Sequence, residues 1–288
     1  MDAATIVRDA SVSGTHIVGE LRLEWSAACN VGRVRETNED AALALPGMYL
    51  IADGMGGHDS GELASEAALL TLSEATSAGE LNATKVQLDD LLVAAQRRIG
   101  EIDTETDRRA GTTATGAVLV THEQSPHWLV LNIGDSRTYR YQNGSLQQLT
   151  TDHSQVQEFI DAGFLTPEQA RTDPRRNVIT RALGAGMVDP VPDFFNTPAF
   201  PGDVLLLCTD GLTGELPDEE IGDILANAST SDEAAERLVD AALALGAHDN
   251  VTVIVVTVHE SVPTLTMPAL DGAAEGKSTD EATVSDPN

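Results

Sequence analysis

The sequence predicts a mixed α/β domain, of the α+β kind, in which helices cover antiparallel sheet. Three observations carry this. Short apolar runs bounded by Gly, Pro and Asn recur at 21–27, 41–45, 48–52, 114–121, 127–133, 137–142, 203–208 and 251–258. Asn143-Gly144 joins two alternating runs in YRYQNGSLQQLT, the turn chemistry of a tight hairpin, which sets neighbouring strands antiparallel. Helical periodicity occupies two pairs of segments, one before and one after the central strands.

In chain order, residues 1–20 show no clear period and read as a loose arm. Residues 61–78 place Leu63, Ala64, Ala67, Ala68 and Leu70 on one helical stripe, and 83–102 do the same with Leu88, Leu91, Leu92, Ala95 and Ile99. Residues 152–186 read as an insert between strands. Within it Thr166-Pro167-Glu168-Gln169 is a capping box with Pro at the first helical position, and TDPRRN ends that helix. A second helix pair covers 218–228 and 231–245. Ser231 is its expected N-cap, Asp232 and Glu233 lie in the first turn, and Gly246 is the stop. Residues 261–288 are rich in Ser, Thr, Ala, Asp, Glu, Gly and Pro and are predicted to be a disordered acidic tail. The folded domain is thus expected over 21–260.

The 288 residues are 41% hydrophobic but only 3% aromatic, so the core must be aliphatic. With 46 acidic and 17 basic side chains the net charge is −29. Such a surface excludes nucleic acid and anionic membranes as partners, since both need basic patches. The longest apolar run, Val251–Val258, has the length of a strand and not of a membrane span. Residues 1–20 lack the apolar centre of a secretory signal. Two cysteines, Cys29 and Cys208, suggest no disulfide framework and fit a reducing, cytoplasmic setting.

LIADGMGGHDSG, residues 50–61, raises the functional question. A buried run ends in Asp53, and Gly54, Gly56 and Gly57 follow within four residues. Turns alone favour Asp and Gly, so one such site has an ordinary explanation. The pattern repeats, however: Asp135 ends WLVLNIGD, Asp210 ends DVLLLCTD, Asp249 opens DNVTVIVV, and Glu39-Asp40 precede AALAL. Tips of neighbouring strands can converge, and converging carboxylates repel one another unless they hold cations. Hard oxygen donors suit Mg²⁺ or Mn²⁺, and two such ions can clamp a phosphoryl group and activate water. GMGGHD matches neither nucleotide-loop pattern, and no G-x-S-x-G elbow occurs. His58 reads as a metal ligand, a general acid or a merely exposed loop residue.

VGRVRETNED, LIADGMGG, GTTAT, NIGDSRTY, TDHSQV, RRNVITRALG, LLLCTDGLT and HDNVTVIVV occur in this order. Together they resemble the metal-dependent protein phosphatases of the 2C type in their bacterial form, over roughly residues 21–258. The resemblance implies a four-layer αββα sandwich, two central antiparallel sheets flanked by antiparallel helix pairs, with the site at one edge. It implies two tightly bound Mn²⁺ or Mg²⁺ ions and a weaker third. Asp53 would bridge the two ions, and the Gly54 carbonyl would be a ligand. Asp210 and Asp249 would hold the first ion. Glu39 would serve the second through water, with Asp40 behind it, and Asp135 would hold the third. Arg35 would bind substrate phosphate, and 152–186 would be the variable flap. Three positions depart from the family pattern. Met55 replaces the histidine of animal relatives, Gly214 replaces an acid, and Asp173 replaces a flap histidine.

The implied activity is hydrolysis of phosphoserine and phosphothreonine by a metal-bridging water, without a phosphoenzyme, in a monomer that opposes a serine/threonine kinase. A non-catalytic phospho-binding module and a phosphatase of small phosphoesters are the alternatives.

Overall fold

The computed structural model describes residues 6–56, 59–102 and 109–261. Strand β1 (Ser11–Val18) lies antiparallel to β2 (Leu21–Asn30) along its whole length. A hairpin of β3 (Ala41–Leu45) and β4 (Met48–Ala52) leads to the two-residue β5 (Gly54–Met55). Helices α1 (Asp59–Leu72) and α2 (Leu81–Gly100) follow. The chain then forms β6 (Gly111–Thr112), β7 (Ala114–His122), β8 (Ser125–Ile133), β9 (Arg137–Gln142) and β10 (Ser145–Gln148). The insert carries α3 (Gln155–Asp161) and α4 (Pro167–Ala170), and β11 (Leu183–Gly184), β12 (Asp193–Pro198) and β13 (Val204–Cys208) come next. Last are α5 (Asp210–Thr213), α6 (Asp218–Asn227), α7 (Ser231–Leu245) and β14 (Val251–Glu260).

The strands form two large antiparallel sheets, ordered β1-β2-β14-β13-β9-β10 and β12-β8-β7-β4-β3, and a small one ordered β11-β6-β5. Period-two alternation sorts the side chains into three apolar layers. Leu205 and Leu207 of β13 join Tyr49 and Ile51 of β4 between the two sheets. Leu206 and Cys208 turn the other way, onto Leu238 and Ala242 of α7. Met48 and Leu50 face Leu69 of α1 and Leu88 and Leu92 of α2. Three cores between four layers make the αββα sandwich, and burying strands on both faces explains why β4 and β13 read as nearly continuous apolar runs.

Several expectations need correction. Residues 11–18 are an edge strand and no loose arm; half-exposed alternation with few charges hides such a strand from periodicity. The first helix ends at Leu72, not 78, because the chain turns back to the sheet, where the Ala78 N–H donates to Leu119 O. Its buried face is Ala64, Ala68, Leu69 and Leu72, whereas Leu63 and Leu70 point outward. The N-cap of α7 is Thr230, whose Oγ1 accepts from the Glu233 N–H; Ser231 Oγ donates to Glu24 O instead. β12 was not foreseen, and the insert's last residues, Leu183–Gly184, pair with β6 of the body. The capping box at Thr166 and Gln169 is present. His58, residues 1–5 and the tail beyond Ser261 lie outside the described residues.

Candidate metal centre

Register brings the acidic strand ends together. Asn30 pairs with Val251, Val253 with Cys208 and Cys208 with Arg137, so these ends share one edge of the six-stranded sheet. Ala41 pairs with Ala52, and Ala114 with Ile133, at the same edge of the other sheet. Hydroxyl bonds link the two edges: Thr209 Oγ1 donates to Asp40 Oδ2 at 2.8 Å, and Thr113 Oγ1 lies 2.8 Å from Ser136 Oγ. Asp40, Asp53, Asp135, Asp210 and Asp249 thereby gather at one edge of the sandwich.

Their electrostatics show the proximity. Burial, then the charges of Asp40, Asp210, Asp135 and Asp249, push the Asp53 carboxyl well above the usual carboxylate range. Burial and Asp210 raise Asp135 strongly. Asp210 is pushed up to about 6 by burial and Asp249. Burial raises Asp40 to about 7 against the bond from Thr209. Glu39 is also raised by burial, with Arg35 opposing. Such a group of carboxylates is stable only with protons or cations among its oxygens.

Backbone contacts position these groups. The Asp53 N–H donates to Thr113 Oγ1 at 2.9 Å, and the Thr113 N–H and Thr112 Oγ1 return bonds to Asp53 O. Gly54 is needed by close approach, since a Cβ there would meet the Gly61 and Glu39 carbonyl oxygens. Asn250 Oδ1 accepts from the Glu39 N–H, and its Nδ2 donates to Val31 O and Thr37 O. Arg137 clasps Asp152 with Nε and Nη2 and reaches the Tyr139 hydroxyl with Nη1, bracing the strand next to Asp135. The sequence reading passed over Thr113, Asn250, Thr209 and Arg137. GTTAT and the Asn after Asp249 were visible, but nothing in a sequence says which hydroxyl or amide faces a strand tip.

Arg35 is exposed at the rim, and its Nη2 donates to Asp249 Oδ2 at 2.7 Å. Asp249 Oδ1 accepts the Asn250 N–H. Asp249 is therefore turned toward the guanidinium, and among the described residues no three acidic, His or Cys side chains close on one point. The donor set nevertheless suits divalent ions: Asp210 Oδ1 and Glu39 Oε1 are buried oxygens with no hydrogen-bond partner among the described residues. An oxygen left so is costly unless a proton or a cation satisfies it. Hard carboxylate and carbonyl oxygens are the ligands Mg²⁺ and Mn²⁺ prefer. Met55 lies beside the cleft, partly exposed in β5.

Comparison with known proteins bears on the family and the fold. Residues 33–246 match the family model described as Protein phosphatase 2C. Serine/threonine protein phosphatase PstP of Mycobacterium tuberculosis is 38% identical over 261 residues, which cover 89% of this chain. The chain spans only 49% of that relative's length. Serine/threonine phosphatase stp of Listeria welshimeri is 36% identical over 240 residues, covering 78% of this chain and 92% of the relative. A crystal structure of the PstP catalytic domain in complex with two manganese ions superimposes with a TM-score of 0.72 at 35% identity, covering 83% of this chain and all of that one. Carboxylate-tipped strands on a four-layer sandwich, and a family match over residues 33–246, lead to one conclusion: this chain belongs to the protein phosphatase 2C family.

Proposed function

We propose that this chain is a metal-dependent phosphoprotein phosphatase that releases phosphate from phosphoserine and phosphothreonine. One observation carries the reading: strand register and the Thr209–Asp40 and Thr113–Ser136 contacts bring five aspartates from separate strand ends to one edge of the sandwich, where burial and the neighbouring carboxylates push Asp53 and Asp135 well above the ordinary carboxylate range. In this reading Asp53 would hold both of two ions, with the Gly54 carbonyl a ligand of one; Asp210 and Asp249 would hold the first, Glu39 would serve the second through water with Asp40 behind it, and Asp135 with Asp210 would hold a weaker third. Bound Mn²⁺ or Mg²⁺ would supply positive charge for the phosphoryl oxygens and a water acidic enough to attack phosphorus.

The remaining tasks fall to the chain itself. Arg35 offers a planar fork at the rim, suited to two phosphate oxygens, and Asp249 orients it from behind. Thr112 and Thr113 hold the Asp53 backbone at the end of β4 without engaging its carboxylate. Thr209 keeps Asp40 facing inward. Both cysteines are buried and unpaired, consistent with direct attack by water and with a reducing, cytoplasmic setting. Phosphorylated proteins, including a serine/threonine kinase and its targets, are the expected partners of a monomeric enzyme. The test is phosphate release from a phosphothreonine peptide with Mn²⁺, with Mg²⁺ and with chelator. Turnover with metal and none with chelator is expected; no turnover with either metal overturns the reading.

A further inference from the structure

Two motifs play no part in the proposed chemistry: TDHSQV, residues 151–156, and RRNVITRALG, residues 175–184. They form the two roots of the insert that carries α3 and α4, and they meet at His153. The Thr180 N–H donates to His153 O at 2.7 Å, the Gln155 N–H donates to Val178 O, and Ser154 bridges Ile179, so the roots run side by side. His153 is 4% exposed. The Gly134 N–H donates to His153 Nδ1 at 3.1 Å, and the His153 N–H donates to Gly134 O at 2.9 Å. Nδ1 is therefore an acceptor, which leaves the ring proton of the neutral imidazole on Nε2. Nε2 then donates to Asp193 Oδ2, 3.1 Å away at the start of β12. Arg181, on the outgoing root, places Nη1 at 3.2 Å from Nε2 and 3.1 Å from Asp193 Oδ1. Two donors cannot bond each other, so Arg181 also belongs to Asp193.

We infer that His153 is a positioning residue that ties the insert to the catalytic corner, with Nδ1 holding the Gly134–Asp135 turn and Nε2 holding the insert's roots to Asp193. The two nitrogens serve two segments, so they can be separated by substitution. An Asn side chain places its oxygen near the Nδ1 position and nothing near Nε2. A Gln reaches the Nε2 position and leaves Nδ1 empty. Burial lowers the affinity of His153 for a second proton, consistent with a ring that accepts at one nitrogen.

The experiment uses the full chain, His153→Asn, His153→Gln and Asp193→Ala, with three readouts: tryptic cleavage after the exposed Arg175 and Arg176, steady-state kinetics, and melting temperature. His153→Asn and Asp193→Ala free the roots. Cleavage should rise about tenfold, the loss of one charge-assisted bond, and KM for a phosphothreonine peptide should rise while kcat for p-nitrophenyl phosphate changes little. His153→Gln frees the corner, so cleavage should match wild type while kcat falls on both substrates. Asp193 lies at the surface, so its variant folds even if a His153 variant does not. If Asn and Gln give the same cleavage rates, or Asp193→Ala leaves cleavage unchanged, His153 is merely packed and the inference fails. The kinetic half rests on the phosphatase reading. Cleavage needs no turnover, so a wild-type protein inert toward phosphopeptide would overturn that reading and leave this test intact.

Discussion

Asp53 keeps its place through its backbone, held by Thr112 and Thr113, so its side chain is free to carry charge into the cleft. That freedom has a cost, because Asp40, Asp135, Asp210 and Asp249 all raise its carboxyl. Asp53→Asn removes one of these charges. In chelator its melting temperature should equal or exceed wild type; with Mn²⁺ it should gain no stabilisation and release no phosphate. Melts with and without EDTA, beside a phosphate assay, check this, and near wild-type turnover would contradict the bridging role. Arg35 poses a different question, since it touches Asp249 directly. If it binds phosphate, Arg35→Ala should lower kcat/KM by roughly 1.5–3 kcal/mol, mostly through KM. Arg35→Lys should recover only part of this, because an ammonium lacks the fork. Calorimetric Mn²⁺ titration decides the assignment: weakened metal binding with an unchanged KM would make Arg35 a brace for Asp249 instead.

At the scale of elements, β1 is secured by more than its ladder to β2. His16 stacks on Trp25 at 5.3 Å and on Tyr49 at 6.0 Å, with Nδ1 3.2 Å from the Tyr49 hydroxyl. Burial lowers the proton affinity of His16 below its ordinary value of 6.5. The unfolded chain then binds the proton more readily than the folded one. The stabilisation is complete above pH 6.5 and is lost as pH falls below it. His153 shifts in the same direction. His16→Gln should therefore flatten part of the fall in melting temperature from about pH 7.5 to 5.5, leaving the share of His153. An unchanged pH profile would show that β1 does not depend on a neutral ring. Helix α5 depends on close approach, because a Cβ on Gly211 would strike Asn250 O. Gly211→Ala should cost about 1–3 kcal/mol, read by denaturant titration. It should also weaken Mn²⁺ binding, since Asn250 holds Glu39 in place. Loss of stability with unaltered metal affinity would separate α5 from the centre.

For the whole molecule, the four layers are complete by Glu260, where β14 ends against β2. Among the described residues, the three apolar cores draw their last member, Val258, from β14. Deletion of residues 262–288 should accordingly leave the melting temperature and peptide turnover within error of the full chain. A clear drop in either would mean that the tail packs on the domain. Among the described residues, no helix is long and apolar enough to cross a membrane.

Much of this was legible in the sequence. Strands buried on both faces read as apolar runs, Asn143-Gly144 marked its hairpin, and Thr166-Pro167 marked its helix start, because these are local properties of a few neighbouring residues. The acids at 53, 135, 210 and 249 stood out because each ends or opens such a run. The edge strand β1 and β12 were not legible, since a half-exposed strand on a sheet edge imposes little alternation. The Leu63–Leu70 stripe misled because a helix can turn either of two apolar faces inward, and only the sheet beneath α1 selects one. The meeting of five aspartates, the Thr113 support and the grip of His153 on two segments all depend on strand register between residues far apart in the chain. Register is set by the packing of both sheets at once, so only the tertiary structure could decide which polar groups share the cleft.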